Sequence, residues 1–204
     1  MSTPAFTPYE SKARIHAHVA FAAFLIGLPL GTLMARYLRT FTNSWFLPHV
    51  IVNLFFTGPI VLTAFALGYQ ATNIAGVPHF VDPHQKTGLA LFVMYLIQVL
   101  LGFFIHWVKF PSRFPGGRAP QNYLHAILGL AIIALACFQT HFGMWNEWPF
   151  VTGNVHPIDV RYKHFWLAIV IVIWSLYAIG LLLLPRQFRQ EAAARHDAKE
   201  EHDG

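Results

Sequence analysis

The segment HQKTGLALFVMYLIQVLLGFFIHWVK, residues 84–109, decides the fold. It is long enough to cross the roughly 30 Å hydrocarbon layer of a bilayer, which takes about 20 helical residues. It opens on His84, carries Gly88 one turn later and closes near His106. Its interior holds Gln98 as the one strongly polar side chain. Four more apolar stretches have the same build, so spans are expected near Ile15–Leu38, His49–Tyr69, His84–Val108, Asn122–Trp145 and His164–Leu184. In lipid each backbone N–H and C=O must be satisfied within its own segment, so these spans are helices. The period-two alternation of a membrane β-barrel is absent.

Composition agrees. The chain of 204 residues is 55% apolar, 16% aromatic and 11% charged, with a mean hydropathy of +0.46. Soluble domains carry about 25% charged residues, so the deficit points to a membrane protein. A net charge of +5 raises the question of nucleic acid, but the cations lie between apolar spans rather than on one face, and no nucleic-acid partner is expected. The single cysteine, Cys137, lies inside an apolar run, which excludes an internal disulfide and a cysteine-based metal site. The first dozen residues lack the build of a secretory leader, so insertion is expected to rely on the first span.

The expected organisation is an extra-membrane segment at 1–14, a transmembrane domain at 15–185 and a polar tail at 186–204. Proline and glycine punctuate the connections: Pro48 suits a first helical turn, Pro78 and Pro83 bracket the second connection, and PSRFPGGRAP forms a polar hinge. Five spans put the termini on opposite sides. Arg36, Arg39, Lys109, Arg113, Arg118, Arg186 and Arg189 share the side of the tail; Lys12, Arg14, Lys86, Arg161 and Lys163 share the other. Seven against five favours a cytoplasmic C-terminus and an outside N-terminus.

Twelve histidines stand out against so little charge. His49, His84, His125 and His164 each open a span, at intervals of 35, 41 and 39 residues, a near-repeat of one helix plus one connection. Alternate spans run in the same direction, so His49 and His125 share one depth and His84 and His164 the other. Ionisable groups inside a membrane are costly and mark function by default. A facing pair of imidazoles from two helices is what a six-coordinate haem iron needs. Gly88 and Gly129 lie four residues after His84 and His125, on the same helical face, and leave room beside the ligand for a flat macrocycle. His164 has Ala168 at that offset and His49 has Asn53. The expected fold is therefore an all-α membrane protein: a bundle of five transmembrane helices with a four-helix di-haem core, drawn from spans two to five. Zinc fits less well, because a tetrahedral site wants four ligands together and these four split between two depths.

The chain resembles the cytochrome b561 family, especially the b561 domains that follow an extracellular DOMON domain. The residues that carry the likeness are HAHVAFAAFLIGLPLGTLMARYLR in span one, WFLPHV opening span two, DPHQKTGLALF in span three, NYLHAILG in span four and RYKHFW before span five. The resemblance implies transmembrane electron transfer through two haem b groups, each ligated by two histidines: His49 with His125 on the inner side, and His84 with His164 on the outer. It implies a reductant such as cytoplasmic ascorbate, and an acceptor such as a ferric chelate, monodehydroascorbate or a partner redox protein. The activity would be that of an ascorbate-dependent ferric reductase-like oxidoreductase, in a plasma membrane or endomembrane, with a homodimer as one arrangement. The sequence carries neither a DOMON domain nor the sixth span common in the family.

Arginine forks suit carboxylates, so Arg36, Arg39, Arg113 and Arg118 are candidates for haem propionates or an anionic reductant, beside their plain reading as positive-inside anchors. On the outer side Lys86, His79, His156, Arg161 and Lys163 are candidates for an anionic acceptor or propionates. His16 and His18 both head span one, and either is placed to meet an outer propionate. Two other classes share these features: a quinol-oxidising cytochrome subunit of a larger complex, and a haem-free helical protein using its histidines for packing or proton relay.

Overall fold

The computed structural model describes residues 4–108 and 119–203, the last ten of these by backbone alone. Within them the chain is helical, and five helices are long and apolar enough to cross a membrane: α1 (Pro8–Leu38), α2 (Asn43–Ala75), α3 (Pro83–Trp107), α4 (Pro120–Val151) and α5 (Val160–Leu181). A sixth helix, α6 (Leu184–Asp203), carries the polar tail. The chain is an integral, multi-pass membrane protein.

Helix starts follow local chemistry. Thr7 and Glu10 form a reciprocal capping box at the head of α1, Asp82 accepts from Gln85 N at 2.8 Å ahead of α3, and Asp159 accepts from Arg161 N at 2.8 Å ahead of α5. Pro83 and Pro120 take the first position of their helices, where a missing N–H leaves no bond unmade. Gly76 ends α2 at φ +68°, a left-handed conformation open to glycine without strain. Helices α1, α2 and α4 are longer than hydropathy alone implies: capping extends the starts of α1 and α2, and α4 continues through its π turn to Val151.

Three of the spans widen to a π turn, at Ala22–Gly27, Ile51–Phe56 and Gly143–Glu147. Pro29, Pro59 and Pro149 explain them. A proline inside a helix lacks the N–H for the carbonyl four residues back and crowds it. Those carbonyls belong to Leu25, Phe55 and Trp145, and each lies inside one of the π segments. Widening the helix relieves the clash without unwinding it in lipid.

The spans pair as hairpins. The first half of α1 packs along α2, and α3 packs along α4. Little hydrophobic drive exists between helices in lipid, so close approach and shape hold them together. In the first hairpin a Cβ on Gly27 would collide with Thr57, and one on Gly31 with Asn53, both on α2. At mid-depth Ala23, Leu25, Leu28, Val61, Leu91, Tyr95, Ile132, Ile133, Ala136 and Cys137 form a shared core of both hairpins. Helix α5 joins from outside this four-helix arrangement: it contributes Ile173 to the core, packs on the second half of α1, and accepts the Tyr37 hydroxyl at the Leu176 carbonyl at 2.6 Å. The four-helix core therefore consists of spans one to four rather than two to five.

Candidate functional site

Two pairs of imidazoles lie across the gap between the hairpins, one at each end of the bundle. At the end where α1 and α3 begin, the His16 and His84 rings stand 6.4 Å apart between centroids at 86°. At the end where α2 and α4 begin, His49 and His125 stand 6.2 Å apart at 69°. All four are half-buried.

Each ring is held. His16 Nδ1 lies 2.8 Å from the Ala64 carbonyl of α2, and His49 Nδ1 lies 2.9 Å from the Gly31 carbonyl of α1. A carbonyl only accepts, so both rings carry their proton on Nδ1 and leave Nε2 as the basic nitrogen. Asn53 fills the position four residues after His49, donates to the His49 carbonyl at 3.0 Å and sets its amide nitrogen 3.1 Å from His49 Nδ1; Gly31 makes room for it. In the second hairpin the neighbour of His84 is a side chain: the Gln139 amide nitrogen lies 3.0 Å from Nδ1 and donates to the His84 carbonyl at 2.6 Å. Gln98 likewise donates to the His125 carbonyl at 2.8 Å.

The glycines have a different task from the expected one. A Cβ on Gly88 would lie 3.3 Å from Gln139 Nε2, and one on Gly129 only 3.0 Å from Gln98 Nε2, so these two admit the facing glutamine. The glycines that face the rings are Gly68 against His16 (3.0 Å), Gly102 against His125 and Gly143 against His84 (both 3.2 Å).

The sequence-derived candidates divide accordingly. His49 and His125 come together; His84 and His164 do not. His164 is exposed on α5, outside the four-helix core, and the place opposite His84 belongs to His16. The physical reason is that α1 packs along α2 and so lies beside the second hairpin, while α5 packs on the far half of α1. His18, exposed, turns back to the Arg14 carbonyl at 2.7 Å, which distinguishes it from His16. Arg36 donates to the buried Gln187 of α6, and Arg39 pairs with Glu191 at 3.2 Å and lies 3.8 Å over the Trp45 ring. Arg113 and Arg118 lie outside the described residues. At the other end Lys86 is exposed. His79 stacks on Tyr69 and contacts Asn73, and Arg161 is paired to Asp159. His156 is 8% exposed, beneath Phe6 and 3.8 Å from Glu10.

The donor set decides what the pairs fit. Two imidazoles on opposite sides of one metal, each bonded at about 2 Å, stand about 6 Å apart between ring centres. Both observed separations match. Among the described residues no three of His, Cys, Asp and Glu gather to hold a metal ion, so a bare tetrahedral ion lacks ligands. A haem would need from the protein only two imidazoles, which His16 with His84 and His49 with His125 would supply. The residues fit haem at both ends.

Sequence reasoning missed Gln139 and the ligand role open to His16. The first was legible: His84, Gly88, Gln98 and Gly102 recur as His125, Gly129, Gln139 and Gly143, each at an offset of 41 residues. The second left no such mark, because the Ala64 and Gly31 carbonyls that hold the first hairpin's rings carry no residue-type signature.

Among known proteins, the family model for eukaryotic cytochrome b561 matches residues 15–151, which takes in His16, His49, His84 and His125 and stops before α5. No curated protein and no solved structure matches the chain.

Proposed function

The chain belongs to the eukaryotic cytochrome b561 family, haem b proteins of transmembrane electron transfer, and on that premise we propose that it carries single electrons between two haem b sites, His16 with His84 and His49 with His125. The single observation that supports this reading is the pair of imidazole couples, 6.4 and 6.2 Å between centroids, at opposite ends of one bundle. Bound there, haem supplies a one-electron couple whose potential depends on its axial ligands, their hydrogen bonds and burial. The protein's part is to orient those ligands. Ala64 and Gly31 fix the tautomers of His16 and His49, so that Nε2 is presented without a proton to remove. The mid-depth core, from Ala23 to Cys137, excludes water between the two ends. No general acid or base is needed for electrons to cross it.

The C-terminus faces the cytoplasm in this proposal, which puts the His49–His125 pair on the donor side with ascorbate or a similar small anion as reductant. The acceptor, at the His16–His84 end, is a ferric chelate, monodehydroascorbate or a redox protein.

The test is a visible spectrum of the purified protein with quantified haem. About two haems per chain are expected, reduced by ascorbate and not by a quinol. His16→Ala should remove one haem and His164→Ala neither. Loss of a haem in H164A with retention of both in H16A would return the pairing to His84 and His164.

A further inference from the structure

The glutamines of the second hairpin are unusual in a membrane interior, where an unsatisfied amide is costly. Gln98 and Gln139 occupy equivalent positions 41 residues apart, on facing helices, each against the other helix's histidine. Yet each leaves its buried Oε1 without a hydrogen-bond partner, and so does the buried Nδ1 of His125. One amide thus carries an orphaned acceptor beside the orphaned ring nitrogen of the residue it already touches.

Coordination through Nε2 changes this. An imidazole so bound carries its proton on Nδ1, and an amide NH₂ cannot accept it. The Gln139 nitrogen now 3.0 Å from His84 Nδ1 is then the wrong end of the amide. Rotating the amide so that Oε1 meets Nδ1–H gives that oxygen its missing partner and gives up the donation to the His84 carbonyl, which retains the N–H of its own helix. For His125 and Gln98 both the acceptor and the ring nitrogen lack partners.

Resting on the haem reading above, we propose that Gln98 and Gln139 are positioning residues for the iron ligands, each holding the Nδ1–H of the facing helix's histidine. Gln139 acts on the His16–His84 site and Gln98 on the His49–His125 site. An acceptor at Nδ1–H makes the imidazole a stronger donor and favours the ferric state. Gly129 and Gly88 are part of the device, since a side chain there would displace the amide.

The test is a potentiometric titration of the purified two-haem protein, with low-spin EPR signals followed for each site. The sites are assigned from H16A and H49A. Gln139→Leu should raise the midpoint of the His16–His84 haem and leave the other unchanged. Gln139→Glu, a stronger acceptor, should lower the same midpoint, and Gln98→Leu should raise the other. Loss of one haem in Q139L with retention in Q139E also supports the proposal. Two haems bound with both midpoints unmoved in Q139L and Q139E overturns it, as does loss of both haems in both variants, which assigns the glutamines to folding alone. A wild-type preparation without haem would instead end the functional reading itself.

Discussion

The two hairpins hold their histidines by different means. In α1 and α2 both rings lean on backbone, at Ala64 O and Gly31 O, with the Asn53 amide also beside His49, and glycines set against Thr57 and Asn53 bring the helices close enough. In α3 and α4 two glutamine side chains bond the histidines' own carbonyls, and Gln139 lies beside the His84 ring, with glycines that make space for both amides. A backbone grip depends on helix separation, which few substitutions at the histidine's own neighbours can alter. A side-chain grip depends on residue type, can be changed one atom at a time, and shows in the sequence as a repeat.

The contrast breaks most sharply at the ligands. His49→Ala and His125→Ala, one from each hairpin, should give the same outcome, loss of one haem of two and retention of the other, measured as haem per chain. If H49A loses a haem and H125A does not, the hairpins do not share a site.

Next come the glycines. Gly27→Ala drives a methyl into Thr57, a short branched side chain that is 1% exposed and has nowhere to go. Overpacking of this kind costs about 1–3 kcal/mol, read as a lower thermal midpoint in detergent. Gly88→Ala meets only the end of Gln139 at 3.3 Å, which gives way, so its midpoint should fall less. Equal losses would erase the distinction between the two grips.

Helix α6 clamps the first hairpin through Arg36 with Gln187 and Arg39 with Glu191. The Arg39 pair is partly exposed, so Arg39→Ala should cost at most about 1 kcal/mol and leave both haems bound. Faster proteolysis of the tail is the measurement.

The smallest effect lies at Asp159, which caps α5 outside the core. Hydrogen bonds from Arg161 lower its carboxyl from the ordinary value to about 2. A depressed carboxylate contributes fully above its unfolded value, and that contribution fades as pH falls through about 2. Asp159→Asn should therefore leave haem content at neutral pH unchanged and remove this acid dependence, followed by circular dichroism.

Much of this was legible in the residues. Five apolar runs, too long for a soluble core and too poor in charge, imply helices in lipid, and the family likeness of HAHVAFAAF, DPHQKTGLALF and NYLHAILG runs through three of the histidine-bearing spans. Matching starts of spans two and four put His49 and His125 at one depth. The same reasoning applied to His84 chose His164 and passed over His16, although spans one and five begin on the same side and spacing alone does not say which is adjacent. The near-repeat favoured His164; packing of α1 along α2 gives the place to His16. The π turns were also unread, although Pro29, Pro59 and Pro149 mark them, since a lone proline in an apolar run can equally end a helix.

By itself the sequence determined the membrane, the helices and the depth at which each histidine sits, because length, hydropathy and direction are one-dimensional properties. Tertiary structure alone decided who faces whom: which helices close the four-helix core, which imidazole meets His84, and whether a ring rests on a carbonyl or an amide. Those are contacts between segments distant in the chain, settled by glycine-permitted approach and side-chain fit.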